Sequence, residues 1–268
     1  FLYLAMHARI AFVAVDEAHC VSQWGQDFRP SYLKIAEFIS RLPYRPVIGA
    51  FTATATEQVK QDIIALLQLN QPFTLTTGFD RPNLYFGVAR PQDKERYIEE
   101  YILDHRDRSG IVYCATRKSV ESVCKELRSV GISATRYHAG LTPEERSKNQ
   151  EDFVYDRKRV MVATNAFGMG IDKSNVSFVL HYNMPKNLEN YYQEAGRAGR
   201  DGERAECILL FSLGDVQTAK YFIQNSHDND ELTPEQAEAA ARRDRERLDV
   251  MVGYCKTTRC LRSYLLDY

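Results

Sequence analysis

Asp16 and Glu17 stand side by side where the apolar run Val13–Val15 ends. Consecutive residues at a strand end point in different directions, so two carboxylates there can divide two tasks. A divalent cation bridging phosphates asks for a hard oxygen ligand, and a second carboxylate can orient or deprotonate an attacking water. A polar strand terminus is the plainer reading, but Ala18 and His19 complete the tetrapeptide Asp-Glu-Ala-His. Far along the chain, "YYQEAGRAGRDG" places Gln193, Arg197 and Arg200 at i, i+4 and i+7, which one continuous helix would put on a single face. Two guanidiniums on one face suit a triphosphate, one binding and one reaching the transferring phosphoryl group. A surface salt-bridge face is the alternative. Gly196 and Gly199 would interrupt such a helix at roughly 1 kcal/mol each relative to alanine. Close approach of the backbone to a ligand or a facing lobe would offset that.

Three further stretches carry polar groups at the ends of apolar runs. "GAFTATAT", Gly49 to Thr56, ends in hydroxyls that could bond to the acidic loop, or could cap the next helix through Thr54 or Thr56. "VATNAFGMGIDK", Val162 to Lys173, has Gly168 and Gly170 for a tight loop and Asp172 at its exit. The acidic pair runs directly into "CVSQWGQDFRPSY", where Trp24, Phe28 and Arg29 would suit stacking on flat rings and a phosphate contact. The flanking Ser, Gln, Gly and Asp argue against burial of that whole segment, although core aromatics remain the alternative.

These residues need elements to hold them. Apolar runs at Ala11–Val15, Val47–Phe51, Ile111–Cys114, Val160–Ala163, Phe178–Leu180 and Cys207–Phe211 read as strands. Helical patterns at Tyr32–Arg41, Glu57–Leu67, Lys118–Val130, Pro143–Tyr155 and Leu188–Ala195 alternate with them. That alternation predicts an α/β fold of parallel sheets, with chemistry at the C-terminal strand ends. "GFDRPNL", Gly78 to Leu84, reads as a linker between two lobes. From Leu213 the pattern is helical, with Thr233 as N-cap, Pro234 at N1 and Gln236 at N3 of a charged helix. The 268 residues suit two lobes, and 44% hydrophobic content allows a core. A net charge of −1 leaves nucleic acid binding to a local basic or aromatic track. The six cysteines form no CxxC pair, and no apolar run reaches the roughly 18 residues of a membrane span. Reduced, mostly buried thiols in a cytosolic or nuclear protein follow as the expectation.

Together, and in this order, "VDEAHC", "SQWGQDFRP", "FTATAT", "GFDRPNL", "IVYCATRKSVE", "YHAGL", "VATNAFGMGIDK" and "YYQEAGRAGRDG" resemble the RecQ family of superfamily 2 DNA helicases. The resemblance implies two RecA-like parallel-sheet lobes with ATP in the cleft between them, the first lobe incomplete (1–81), the second spanning 82–212. The start of a helical zinc-binding subdomain follows (213–268). It assigns Asp16 to Mg²⁺, Glu17 to the catalytic base and His19 to the link between the ATP site and the aromatic loop. Arg200 becomes the arginine finger, Arg197 a second phosphate contact and Gln193 part of their network, with Gly170 and Asp172 completing the nucleotide site. Trp24, Phe28 and Arg29 would sense single-stranded DNA, and Thr116, Arg117, His138 and Thr164 would grip its backbone. Cys260 matches the first zinc ligand, so Zn²⁺ is expected only in the full-length protein; Cys255 reads as a packed helix cysteine.

Two departures qualify the resemblance. Gln26 stands where many members have histidine, which removes a protonatable group. No GxxxxGK[ST] occurs, the chain opens at Phe1 fifteen residues before Asp16, and it stops inside a helical pattern. The expectation is a piece cut at both ends that hydrolyses ATP poorly by itself. The function implied for the intact protein is ATP-dependent 3′→5′ unwinding of single-stranded and forked DNA in repair and recombination, nucleoid-associated in a bacterium or nuclear in a eukaryote. A non-catalytic nucleic-acid-binding remnant is the alternative, and a DEAH-type RNA helicase is disfavoured by Trp24, Phe28 and the zinc-helix start.

Overall fold

The computed structural model describes residues 2–22, 29–53, 55–76, 78, 80–168, 173–225 and 234–268. The chain divides into two compact units, Phe1–Gly78 and Phe79–Tyr268.

The first unit begins with α1 (Leu2–His7) and the strand β1 (Phe12–Val15), followed by a 3₁₀ turn at Ala18–Val21. Helix α2 (Pro30–Ser40), strand β2 (Val47–Ala50) and helix α3 (Glu57–Leu66) complete it. β1 and β2 pair in parallel, with Val15 opposite Ala50. Val15, Ala18, Val21, Val59, Ile63 and Leu67 form the small core beneath them. Thr56 caps α3, accepting from the Val59 N–H at 3.4 Å.

The second unit alternates β3 (Leu84–Ala89), α4 (Lys94–Asp104), β4 (Ser109–Tyr113), α5 (Arg117–Ser129), β5 (Ala134–Tyr137), α6 (Pro143–Val154) and β6 (Val160–Ala163). Then come β7 (Val176–His181), α7 (Leu188–Ala195), β8 (Ala205–Leu210), α8 (Leu213–Asn225), α9 (Pro234–Lys256) and α10 (Leu261–Leu266). All strands run parallel in the order β3-β8-β7-β4-β6-β5. Parallel sheets bury both faces, which is why the central strands read as unbroken apolar runs. One face packs Ile111, Met161 and Val179 against Phe153 of α6, Tyr191 of α7 and Leu248, Met251 and Tyr254 of α9. The other packs Val112, Val162 and Leu180 against Ile98 and Ile102 of α4 and Val120, Val123 and Leu127 of α5. The helices from Leu213 onward thus belong to the same compact unit as the sheet. Among the described residues, no helix is long and apolar enough to cross a membrane.

Candidate nucleotide and nucleic-acid sites

In the first unit, β1 delivers Asp16 and Glu17 to its C-terminal end. Asp16 is exposed, and its Oδ1 accepts the Glu17 N–H at 2.9 Å. Glu17 is left-handed (φ 47°, ψ 43°) at the start of the 3₁₀ turn. Only a few per cent of non-glycine residues adopt φ > 0, and the left-handed form costs roughly 1–2 kcal/mol. The turn buries His19, whose Nδ1 lies 2.9 Å from Thr52 Oγ1 and 3.3 Å from Glu17 Oε2. On the other side of the ring, Nε2 lies 3.8 Å from Cys20 Sγ. Backbone bonds seal the same corner: Phe51 N–H to Val15 O at 2.8 Å and Ala18 N–H to Phe51 O at 2.9 Å. Of the two roles open to the hydroxyls of "GAFTATAT", Thr52 takes the bond to the acidic loop and Thr56 takes the cap.

Trp24, Gln26, Phe28 and Thr54 lie outside the described residues. Arg29, where the chain re-emerges, donates its N–H to Cys20 O at 2.9 Å. The described residues on either side of that stretch, Ser22 and Arg29, both donate their N–H to the 3₁₀ turn, to His19 O at 3.1 Å and to Cys20 O.

In the second unit, topology gathers the other candidates. Thr116 follows β4, His138 follows β5 and Thr164 follows β6, and β4, β6 and β5 are neighbours in the sheet. Thr116 caps α5, accepting from the Ser119 N–H at 3.0 Å, and Arg117 opens that helix exposed. The Arg117 side chain runs beside Gly140, where an added Cβ would meet its Cδ at 3.2 Å. His138 is buried, and both ring nitrogens are engaged. Gly140 N–H donates to Nδ1 at 3.2 Å, so the proton sits on Nε2, which donates to Glu121 Oε1 at 2.9 Å. Both nitrogens are thus bonded within the protein, which fixes the ring at the end of β5. Glu121 also accepts from Arg136 Nε at 2.7 Å. Desolvation pushes the Glu121 carboxyl up, but the bonds from His138 and Arg136 outweigh it and hold it below its ordinary value. Thr164 is 9% exposed and takes part through its backbone, donating to Tyr137 O at 3.1 Å.

Gln193, Arg197 and Arg200 do not share a helical face. α7 stops at Ala195, so Gln193 is on the helix and both arginines lie on the turn beyond it. The glycines that interrupt the expected helix in fact end it: Gly196 is the C-cap and Gly199 is left-handed at φ 59°. Arg197 Nη1 donates to Gly168 O at 2.5 Å. A Cβ at Gly168 would lie 2.1 Å from that guanidinium, and its φ of 146° favours glycine in any case. Tyr113, whose phenol burial pushes well above its ordinary value, donates to Phe167 O at 3.1 Å. Arg200 is exposed. Gly170 and Asp172 lie outside the described residues, as does Thr233.

Sequence reasoning missed a polar network at the same sheet edge. Asn183 Oδ1 accepts the Ala115 N–H at 3.0 Å, and its Nδ2 donates to Asp215 Oδ1 at 2.9 Å. Asp215 also accepts from Lys94 Nζ at 2.7 Å, and Lys94 reaches the carbonyls of Tyr182 and Leu210. The loop before Thr116 is thereby tied to the start of α8. A cavity of about 300 Å³ opens beside this network, lined by Tyr113, His181, Asn183 and Phe222 among others. Concavities at C-terminal strand ends are where open α/β sheets take ligands. Isolated Asn, Asp and Lys carry no spacing signal, so nothing in the sequence marked these three.

A hard carboxylate oxygen at Asp16 fits Mg²⁺, which is held by one or two carboxylates plus substrate phosphates. For zinc, Cys260 is exposed at the N-cap of α10. Hydrogen bonds from the backbone and side chain of Ser263 and the backbone of Arg262 hold its thiol below the ordinary value. A thiolate fits the metal, but among the described residues no group of three or more ligating side chains exists. Any tetrahedral site takes its other ligands from outside them.

Residues 4–62 match the DEAD/DEAH box helicase family, residues 93–202 the helicase conserved C-terminal domain and residues 213–268 the RecQ zinc-binding family. The chain is 46% identical over its whole length to the ATP-dependent DNA helicase RecQ of Bacillus subtilis, of which it spans 44%. It is 39% identical to the protein of that name from Pasteurella multocida, spanning 41% of it. The ATP-dependent helicase SGS1 of Saccharomyces cerevisiae is 41% identical over 97% of this chain, which spans 18% of that relative. The chain therefore spans less than half the length of these relatives. Among solved structures, S. cerevisiae Dbp5 bound to RNA and ADP BeF3 superposes with a TM-score of 0.64 at 22% identity, covering 92% of this chain and 67% of that one. At that identity the likeness shows the fold alone.

Proposed function

Because the chain belongs to the RecQ family of superfamily 2 DNA helicases, we propose that it forms the motor part of an ATP-dependent DNA helicase. The intact protein moves 3′→5′ on single-stranded DNA and opens forked duplex in repair and recombination, in the nucleoid of a bacterium or the nucleus of a eukaryote. It uses ATP with Mg²⁺ and carries structural Zn²⁺. When bound, Mg²⁺ neutralises phosphate charge, and Asp16 is the residue that holds it. Glu17 takes the proton of the water that attacks the γ-phosphorus. Arg200 stabilises the charge on the transferring phosphoryl group, Arg197 contacts a second phosphate oxygen, and Gln193, Gly170 and Asp172 complete that side. Thr116, Arg117, His138 and Thr164 form the edge that grips the DNA backbone, and Cys260 supplies one zinc ligand.

The observation that carries this reading is the His19 ring, whose Nδ1 faces both Glu17 and Thr52. It joins the proposed base to the strand end next door, one residue from the Cys20 carbonyl that anchors Arg29. Stacking of a base on Trp24 or Phe28, worth roughly 1–3 kcal/mol, pulls on a segment whose two ends meet at this turn. A small shift of His19 then re-aims Glu17. The test is Trp24→Ala in the full-length protein. DNA-stimulated ATPase should fall while ATP binding without DNA is unchanged; stimulation surviving intact would remove the coupling.

A further inference from the structure

The turn that carries Arg197 and Arg200 is held by side chains from a distant stretch of the chain. A helix end leaves carbonyls without amide partners, and Gly196 O and Ala198 O follow α7, with Gly199 O, which also accepts the Gly202 N–H at 3.1 Å, next in line. Arg81 takes them. Its Nη2 donates to Ala198 O at 3.1 Å and Gly199 O at 2.7 Å, and its Nη1 to Gly196 O at 3.5 Å. Asn83 Nδ2 donates to Gly199 O and Glu203 O, both at 2.8 Å. A Cβ at Gly199 would lie 2.5 Å from that Nδ2, so the left-handed glycine and Asn83 require each other.

The stretch holding Arg81 and Asn83 is gripped from its other side by α10. Arg262 Nη1 donates to Arg81 O at 2.6 Å and to Asp80 Oδ1 at 2.8 Å. Its Nη2 donates to Leu84 O, and the guanidinium sits 5.6 Å over the Phe86 ring. A continuous path of hydrogen bonds thus runs from α10 through residues 80–84 to the arginine-bearing turn.

We infer that Arg81 and Asn83, backed by Arg262, are positioning residues for Arg200: they set the backbone of the turn and so the place its guanidinium reaches. This rests on the reading of Arg200 as the residue that stabilises the transferring phosphoryl group. Arg81 and Asn83 bond the carbonyls of Ala198 and Gly199, the two residues just before Arg200, and so fix the peptide from which its side chain leaves. A misplacement of about 1 Å at a reacting centre can cost on the order of 10²-fold in rate. Lysine at position 81 would keep the charge but lose the planar fork that spans several carbonyls at once.

The experiment is a double-mutant cycle on the full-length protein, reading ATPase kcat and KM with saturating single-stranded DNA. Arg81→Ala should lower kcat about 10²-fold, with KM for ATP and the Kd for DNA changed less than about twofold. Arg81→Lys should fall between. In an Arg200→Ala background, Arg81→Ala should cost less than about twofold more, because residues acting as one unit are not additive. A general folding defect would instead multiply. Arg200→Ala impaired but Arg81→Ala near wild type, or an undiminished loss in the Arg200→Ala background, overturns the inference. Arg200→Ala at wild-type turnover sinks the reading of Arg200 itself, and this inference with it. Should Arg81→Ala lack a cooperative melting transition, the same cycle run with Arg81→Lys and Arg262→Ala decides.

Discussion

Cys260 differs from every other thiol in the chain. Cys20, Cys114, Cys124, Cys207 and Cys255 are buried, and desolvation pushes the thiols of Cys207 and Cys255 up to about 12. Cys260 is exposed and its thiolate is stabilised by donors at a helix start. Brief treatment of the metal-free folded chain with iodoacetamide should therefore label Cys260 first, as mass mapping of peptides would show; equal labelling of the buried five would contradict it. At Glu121 the folded carboxyl titrates below its ordinary value of 4.5. A depressed acid contributes stability above its unfolded pKa and loses it as pH falls through the folded one. Glu121→Gln should flatten the fall of melting temperature below about pH 4.5 and leave the slope near pH 7 unchanged. Residue types and order were enough to nominate Asp16, Glu17, His19 and the arginines. They could not reveal that both His138 nitrogens are committed internally, because its partners Glu121 and Gly140 are fixed by the fold.

At the level of elements, what could be read followed burial. The central strands β4, β6, β7 and β8 are covered on both faces, so each carries a short apolar run that announces it. The two strands that sequence reasoning passed over, β3 and β5, are the edges of the six-stranded sheet. Edge strands have one neighbour and tolerate polar side chains, as "ATRY" shows, whereas "LYFGVA" stays apolar and turns Tyr85 out to solvent. Helix α4 also escaped notice, since Ile98 and Ile102 are its only buried residues in a run dense with charge. The end of α7 was misread because spacing alone treats glycine as a costly helix residue, whereas Gly199 is a stop in left-handed geometry. Gly199→Ala should cost about 1–3 kcal/mol, measurable as a lower urea midpoint; its Cβ would also meet Glu203 O at 2.9 Å. Gly168→Ala displaces the Arg197 guanidinium and should lower ATP turnover in the full-length protein more than it lowers stability.

At the level of the molecule, each compact unit keeps its own core. In the second, the charged helix α9 contributes its apolar face to the sheet: Leu248, Met251, Tyr254 and Cys255 are all buried. Its charges lie on a half-exposed face, and its last turns complete the core under α7. The Tyr254 and Tyr191 rings are 5.2 Å apart and their hydroxyls 3.4 Å. Tyr254→Ala should cost about 3–5 kcal/mol, seen as an earlier unfolding transition in urea, and Tyr254→Phe much less.

That sharing of one core sets where the polypeptide can be divided. A protein engineer who ended the chain at Ser212, after the last strand, would strip the oily underside of α7 and leave Tyr191 facing water. Such a shortened chain should clump on expression or need detergent, while one kept through α10 should stay dispersed.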